Sequence, residues 1–237
     1  MITLLPNQYF GLGDVIFTQT LVRRIAESHG PDTRIIWGVM PHFVEGLNRA
    51  YPSIQFIDWR TLQIDYERKD DYEFEHPTYG RCRVLPLRWS DALLKMPYAT
   101  CMRAKYDLYG LDYKTWRDEA MWRTTTEKRS GLFQRKAGGF GGVYSFGNTV
   151  FGSECKLRVQ IPECDVNMSV VEGYSLFDWA TIIQKATEIH TVNTSILFLI
   201  DMLELKASEV HVYQRGNGQG TDGVSYLFTK HKYVYHD

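Results

Sequence analysis

Apolar residues in the first sixty positions follow two alternating spacings. Residues 2–5 (ITLL) form a short apolar run of the kind buried in a parallel sheet, and RIIWGV (34–39) and IQFIDW (54–59) repeat it. Between the first two runs, Phe17, Leu21 and Ile25 recur every four residues, with Val22 and Ala26 beside them. Arg23, Arg24 and Glu27 fall on the other side, so the spacing predicts a helix over 14–29. PHFVEGLNRAY (41–51), with Pro41 in its first turn, predicts a second helix. The order β-loop-α-β-α-β implies right-handed crossovers and a parallel sheet. Ligands of such sheets sit at the carboxyl ends of the strands.

From 60 to 135 the pattern loosens. SDALLKM (90–96) and the aromatic-rich 113–129 read as helices. RKAGGFGG (135–142), with four glycines and no apolar period, reads as a linker. That places an N-terminal domain with a helical insertion at 1–137 and a small C-terminal domain at 138–237. The alternation then restarts: strands at 143–147, 165–171, 189–192 and 209–215, and helices at 175–188 and 195–203, ending in the glycine-rich GNGQGTDG (216–223). The expected fold is α/β: two Rossmann-like domains facing a cleft, the second reduced.

Composition changes this picture little. With 237 residues, 44% hydrophobic, the chain can bury one large core or two small ones. A net charge of −1 provides no global basic field, against a general nucleic-acid binder. Charge is nonetheless uneven. Residues 81–136 carry thirteen Lys/Arg against six acids, directly after an acidic run of Asp65, Glu67, Asp70, Asp71, Glu73 and Glu75. Two readings stand: two solvated faces, or a basic segment that meets an anionic substrate. The four cysteines show no CxxC, and the seven histidines show no metal-ligand spacing, so no metal is expected. Met1 leads straight into a strand, and no apolar run approaches the ~18–20 residues of a membrane span. A cytoplasmic location with free thiols is expected.

Three stretches carry candidate chemistry. In GLGDV, Gly11 and Gly13 let the backbone turn sharply and approach a ligand. Ile16 stands at the third glycine's place of GxGxxG and no GK[ST] follows, so neither a dinucleotide fingerprint nor a P-loop is present. Asp14 at the helix start is either a cap for the first N–H groups or a general base at the mouth of the sheet. In IHTVNTSILFLIDML, a short strand ends in Asn193, Thr194 and Ser195 before an apolar helix. That is either an ordinary capped turn or an anion site suited to diphosphate. In NTVFGSECKLRV, Lys156 and Arg158 share a side if the stretch is extended. They are either exposed cations or neutralisers of a leaving diphosphate.

GLGDVIFTQTLVRRIA resembles the first turn of the lipopolysaccharide heptosyltransferase family, and TVNTS before an apolar helix resembles that family's turn at the donor phosphates. YSFGNTVFGSECKLRVQIP and SLFDWATIIQKATEIHTVNTSILFLIDML are similar to small GT-B glycosyltransferase-like proteins of viruses and bacteria. The resemblance covers roughly 1–60 and 143–215. It implies transfer of a sugar from a nucleotide-sugar, the co-substrate, to a hydroxyl, inverting and without metal or cofactor. It places the general base at Asp14 and matches Lys156 to the lysine that assists the diphosphate. Arg158 and the Asn193–Ser195 turn would hold the same group, and Glu172 is a candidate for the nucleotide ribose. The acceptor is then a saccharide or, in a phage-type enzyme, a hydroxymethylated DNA base; Trp89, Tyr98, Tyr106, Trp116 and Trp122 would suit stacking. Two alternatives are a non-catalytic binding protein on a degenerate GT-B fold and a nucleotide-sugar-modifying enzyme such as an epimerase.

Overall fold

The computed structural model describes residues 1–87, 101–118, 122–150, 160–215 and 224–236. The helix expected at 90–96, Lys156, Arg158 and the glycine-rich 216–223 lie outside these. The chain divides into two compact units, Met1–Arg123 and Thr124–Asp237, each built on a five-stranded sheet among the described residues.

In the first unit, β1 (Thr3–Pro6), β2 (Arg34–Val39) and β3 (Gln55–Asp58) pair in parallel, and α1 (Leu12–His29) and α2 (Pro41–Ala50) connect them. The apolar runs set this in β1 and β2, which are covered on both faces and need apolar side chains on both, while β3 at the sheet edge buries only Phe56. Two strands are additional to the expected pattern. β4 (Tyr72–His76) and β5 (Gly80–Leu85) form an antiparallel hairpin, and β5 then pairs in parallel with β1. The order is β3-β2-β1-β5-β4. The acidic run and the basic residues after it are therefore neighbours. Arg81 reaches Glu73 and Arg83 reaches Asp71, both at 2.7 Å, diagonally across the hairpin.

Helix α1 departs from the one-faced helix that its apolar spacing predicts: every residue from Val15 to Val22 is buried, including Thr18, Gln19 and Thr20. The middle of the chain covers its outer face. α3 (Cys101–Asp107) and α4 (Thr115–Asp118) pack there, with the Tyr106 hydroxyl donating to Phe17 O at 2.8 Å and Thr20 Oγ1 to Trp116 O at 3.1 Å.

The second unit is all-parallel in its sheet, ordered β10-β9-β8-β6-β7: β6 (Ser145–Asn148), β7 (Val166–Asn167), β8 (Glu188–Val192), β9 (Val210–Tyr213) and β10 (Tyr233–His236). Its helices are α5 (Thr126–Ala137), α6 (Ala180–Lys185) and α7 (Ile196–Met202). The compact units divide at Arg123/Thr124, where the glycines had suggested 137/138. Helix α5 precedes the glycines, yet it is bound into the second unit. Arg129 donates to Thr181 Oγ1 at 3.0 Å and Gln184 Oε1 at 2.6 Å, and Thr124 donates to the buried Asp178 at 2.7 Å. The glycines end that helix: Gly138–Phe140 is a 3-10 turn, and Gly141 and Gly142 take positive φ before β6. The single helix expected over 113–129 is instead α4 and the start of α5.

Tyr144, just before β6, donates its hydroxyl to Ile182 O at 2.7 Å, and burial pushes its pKa up to about 12. The neutral phenol is therefore favoured in the folded state. The stability it contributes is complete below the unfolded value near 10 and is lost as pH rises from there through about 12. Thermal melts between pH 8 and 11.5 should show an alkaline fall in Tm that is shallower in Tyr144→Phe (roughly the removal of one titrating group). An identical alkaline slope in the two proteins would refute this.

Candidate functional site

In an open α/β sheet the strand order reverses at one point, and the loops leaving the two strands there diverge to opposite faces. In the first unit that point lies between β1 and β5. The segment leaving β1 is Asn7–Gly11, the stretch already singled out. Asn7 is tied down: its N–H donates to Leu85 O at 2.8 Å, and its side-chain amide donates to Tyr66 O at 3.1 Å and Arg68 O at 3.3 Å.

Gly11 precedes helix α1 at φ 73, and Asp14 is the third helical residue, so the aspartate is inside the first turn rather than the cap. Its Oδ1 accepts from the ammonium of Lys105, on α3. The lysine side chain is 6% exposed and the aspartate's 33%. Lys105 Nζ also donates to Gln8 Oε1 at 3.1 Å, while Gln8 Nε2 donates to Phe10 O at 2.6 Å. Trp37 Nε1 holds the Gln8 carbonyl at 2.8 Å. A buried ammonium needs a counter-charge. Asp14 provides it while still showing a third of its surface.

Lys105 was legible only as one cation of the basic segment. Ninety-one positions separate it from Asp14, and no local spacing signals the pair.

An added Cβ on Gly11 would lie 2.5 Å from Asp14 Oδ2, and the positive φ is strained for any L side chain. Gly11→Ala should cost about 1–2 kcal/mol in urea unfolding and move the Asp14 carboxylate. A variant as stable as the parent would contradict this geometry. Gly13 is the second residue of α1 and sits inside the helix rather than in the loop.

In the second unit the order reverses between β6 and β8. Asn148, fully buried at the end of β6, donates to Thr191 Oγ1 at 3.0 Å and Thr194 Oγ1 at 3.4 Å, and its Oδ1 accepts from Val150 N–H at 3.0 Å. One side chain thus joins the exit of β6 to the turn after β8. Asn193, Thr194 and Ser195 form that turn, all half-buried, with Asn193 N–H donating to Tyr213 O at 3.1 Å. Ser195 stands at the N-cap of α7 without a side-chain cap bond. That helix is seven residues long, so its dipole is short and the polar strand ends carry more of the site's character. Glu172 lies exposed in the turn after β7. Lys156 and Arg158 follow β6 in the sequence and lie outside the described residues. In the sequence Asn148 is only the first residue of that stretch; its burial at a strand end is a tertiary fact.

Among the described residues, no group of three or more His, Cys, Asp or Glu is placed to hold a metal ion, and no helix is long and apolar enough to cross a membrane.

No family model and no curated protein matches the chain. Among solved structures it is similar to the glycosyl transferase family 9 protein from Veillonella parvula DSM 2008, at TM-score 0.57 and 10% identity, over 99% of this chain and 86% of that one. At that identity the likeness is one of fold: an α/β chain with two parallel-sheet units, as in a GT-B-like protein.

Proposed function

We propose that the chain transfers a glycosyl group from a nucleotide-sugar to a hydroxyl, with inversion at the sugar carbon. The observation that carries this reading is a part-exposed carboxylate, Asp14, placed at the reversal point of one sheet, in a chain whose fold matches a glycosyltransferase. In the reaction the acceptor oxygen bonds to the anomeric carbon as the bond to the diphosphate oxygen breaks. The acceptor proton passes to Asp14, and nucleoside diphosphate leaves. A concerted displacement suits a carboxylate at a helix N-terminus, because the proton moves only as the new bond forms. Lys156, Arg158 and the Asn193–Ser195 turn would hold the diphosphate as charge grows on it, without a metal or cofactor. Glu172 would meet the ribose. The acceptor is a saccharide or a hydroxymethylated DNA base.

A thermal-shift screen of nucleoside diphosphates and their sugars tests the reading. A binder at about a hundred times its Kd adds ~2.7 kcal/mol of stability. A flat response to the whole set would sink it. One observation favours a second reading, a binding protein on a degenerate GT-B fold: Lys105 already occupies one Asp14 oxygen. That protein would show donor binding with no turnover by any acceptor.

A further inference from the structure

Strand β3 is the outer strand of the first sheet, a short run of Gln55, Phe56, Ile57 and Asp58. An edge strand presents N–H and C=O groups to which another strand can add. In a strand the N–H and C=O of one residue point to the same side, and successive residues alternate between sides. The inner side of β3 pairs with β2. The outward row is Ile54, Phe56 and Asp58, and each member is met from within the chain. The Ile54 N–H donates to Tyr51 O at 3.0 Å, and the Asp58 carbonyl accepts from Thr61 Oγ1 at 2.7 Å.

Phe56, in the middle of the row, is bonded twice by one side chain. Its N–H donates to Asn48 Oδ1 and its carbonyl accepts from Asn48 Nδ2, both at 2.8 Å. Helix α2 carries Asn48 and packs on β3, burying Leu47 and Ala50, which fixes where the amide lies. One bond would tie the helix to the strand. Two bonds to the same residue take the place of a neighbouring strand, because a residue directly opposite in an antiparallel pair exchanges that same N–H and C=O.

The occupant that fits this row is a second β3. Across a two-fold axis at Phe56, each Phe56 would give its N–H to the carbonyl of the other, in place of the bonds to Asn48. In that register Asp58 falls opposite Ile54 rather than opposite its own copy, and Arg60 already neutralises it. No like charges meet along the paired strands. We infer that the edge of β3 is a self-association surface of this chain and that Asn48 keeps it closed.

The test compares the full-length parent with Asn48→Leu, Asn48→Asp and Asn48→Leu/Gln55→Lys by sedimentation equilibrium, with circular dichroism to confirm the fold. Leucine keeps the size of asparagine and has neither donor nor acceptor. Asn48→Leu is expected to self-associate roughly tenfold more tightly than the parent, the factor that one or two hydrogen bonds contribute. Asn48→Asp still accepts from Phe56 N–H but cannot donate to its carbonyl, so it should fall between the two. Gln55 is exposed, and its substitution by lysine places cations diagonally across the paired strands. The double variant should therefore return to the association of the parent. If Asn48→Leu fails to fold, Asn48→Asp with and without Gln55→Lys gives the same comparison. Parent-like association of a folded Asn48→Leu, or association that Gln55→Lys does not reverse, overturns the inference. Loss of fold in both single variants overturns it too, since Asn48 is then a tie between α2 and β3.

Discussion

Asp14→Asn is expected to lower glycosyl transfer roughly 10²–10⁴-fold, the usual yield of a positioned acid or base. Nucleotide-sugar affinity, measured by calorimetry, should stay near the parent value, because the residues proposed to hold the donor belong to the other unit. The amide keeps the shape of the carboxylate but cannot take the acceptor proton. The change also removes the counter-charge of the buried Lys105 ammonium. Asp14→Asn/Lys105→Met removes that complication: it should recover stability and remain inactive. Turnover in the double variant above about a tenth of the parent rate would exclude Asp14 as the base.

Lys105→Met is expected to destabilise the chain less than Asp14→Asn does. The methionine fills the space of the stem, and the carboxylate it abandons is one-third exposed and can hydrate. Asp14→Asn instead leaves a 6% exposed ammonium facing only neutral acceptors. Breaking a buried pair from one side typically costs about 3–5 kcal/mol, and the half-open setting here points to about 3 for the Asn variant. Urea unfolding of the parent, both single variants and the double variant gives the coupling between the two residues. A coupling below about 0.5 kcal/mol would mean that this contact is energetically idle.

The β1-α1-β2-α2-β3 half of the first unit was legible because burial on both faces writes apolar runs and helical packing writes a period of four. The hairpin was not. Tyr72, Phe74 and His76 alternate with Glu73 and Glu75, a period of two, but the acids in that stretch read first as charge. Only pairing with Arg81 and Arg83 shows why acids and bases sit in adjacent runs. β10 lies at the edge of its sheet and leaves all four residues half-buried, so it writes no clear apolar run. At the site, Gly11 and Asp14 were legible because a tight turn before a helix is a local event. Lys105 and Asn148 were not, since each acquires its role from a partner that the topology delivers from elsewhere in the chain.

The middle position of β1 has a consequence for synthesis. Its neighbours are β2, from Arg34, and β5, ending at Leu85. While the ribosome is still making the hairpin, one rim of the first strand has no partner, and Asn7 cannot yet donate to Leu85. At about 5–20 residues per second, several seconds pass between the emergence of the two strands. During that window the nascent chain presents an open, apolar strand edge, the kind of surface that pairs with another chain unless something covers it.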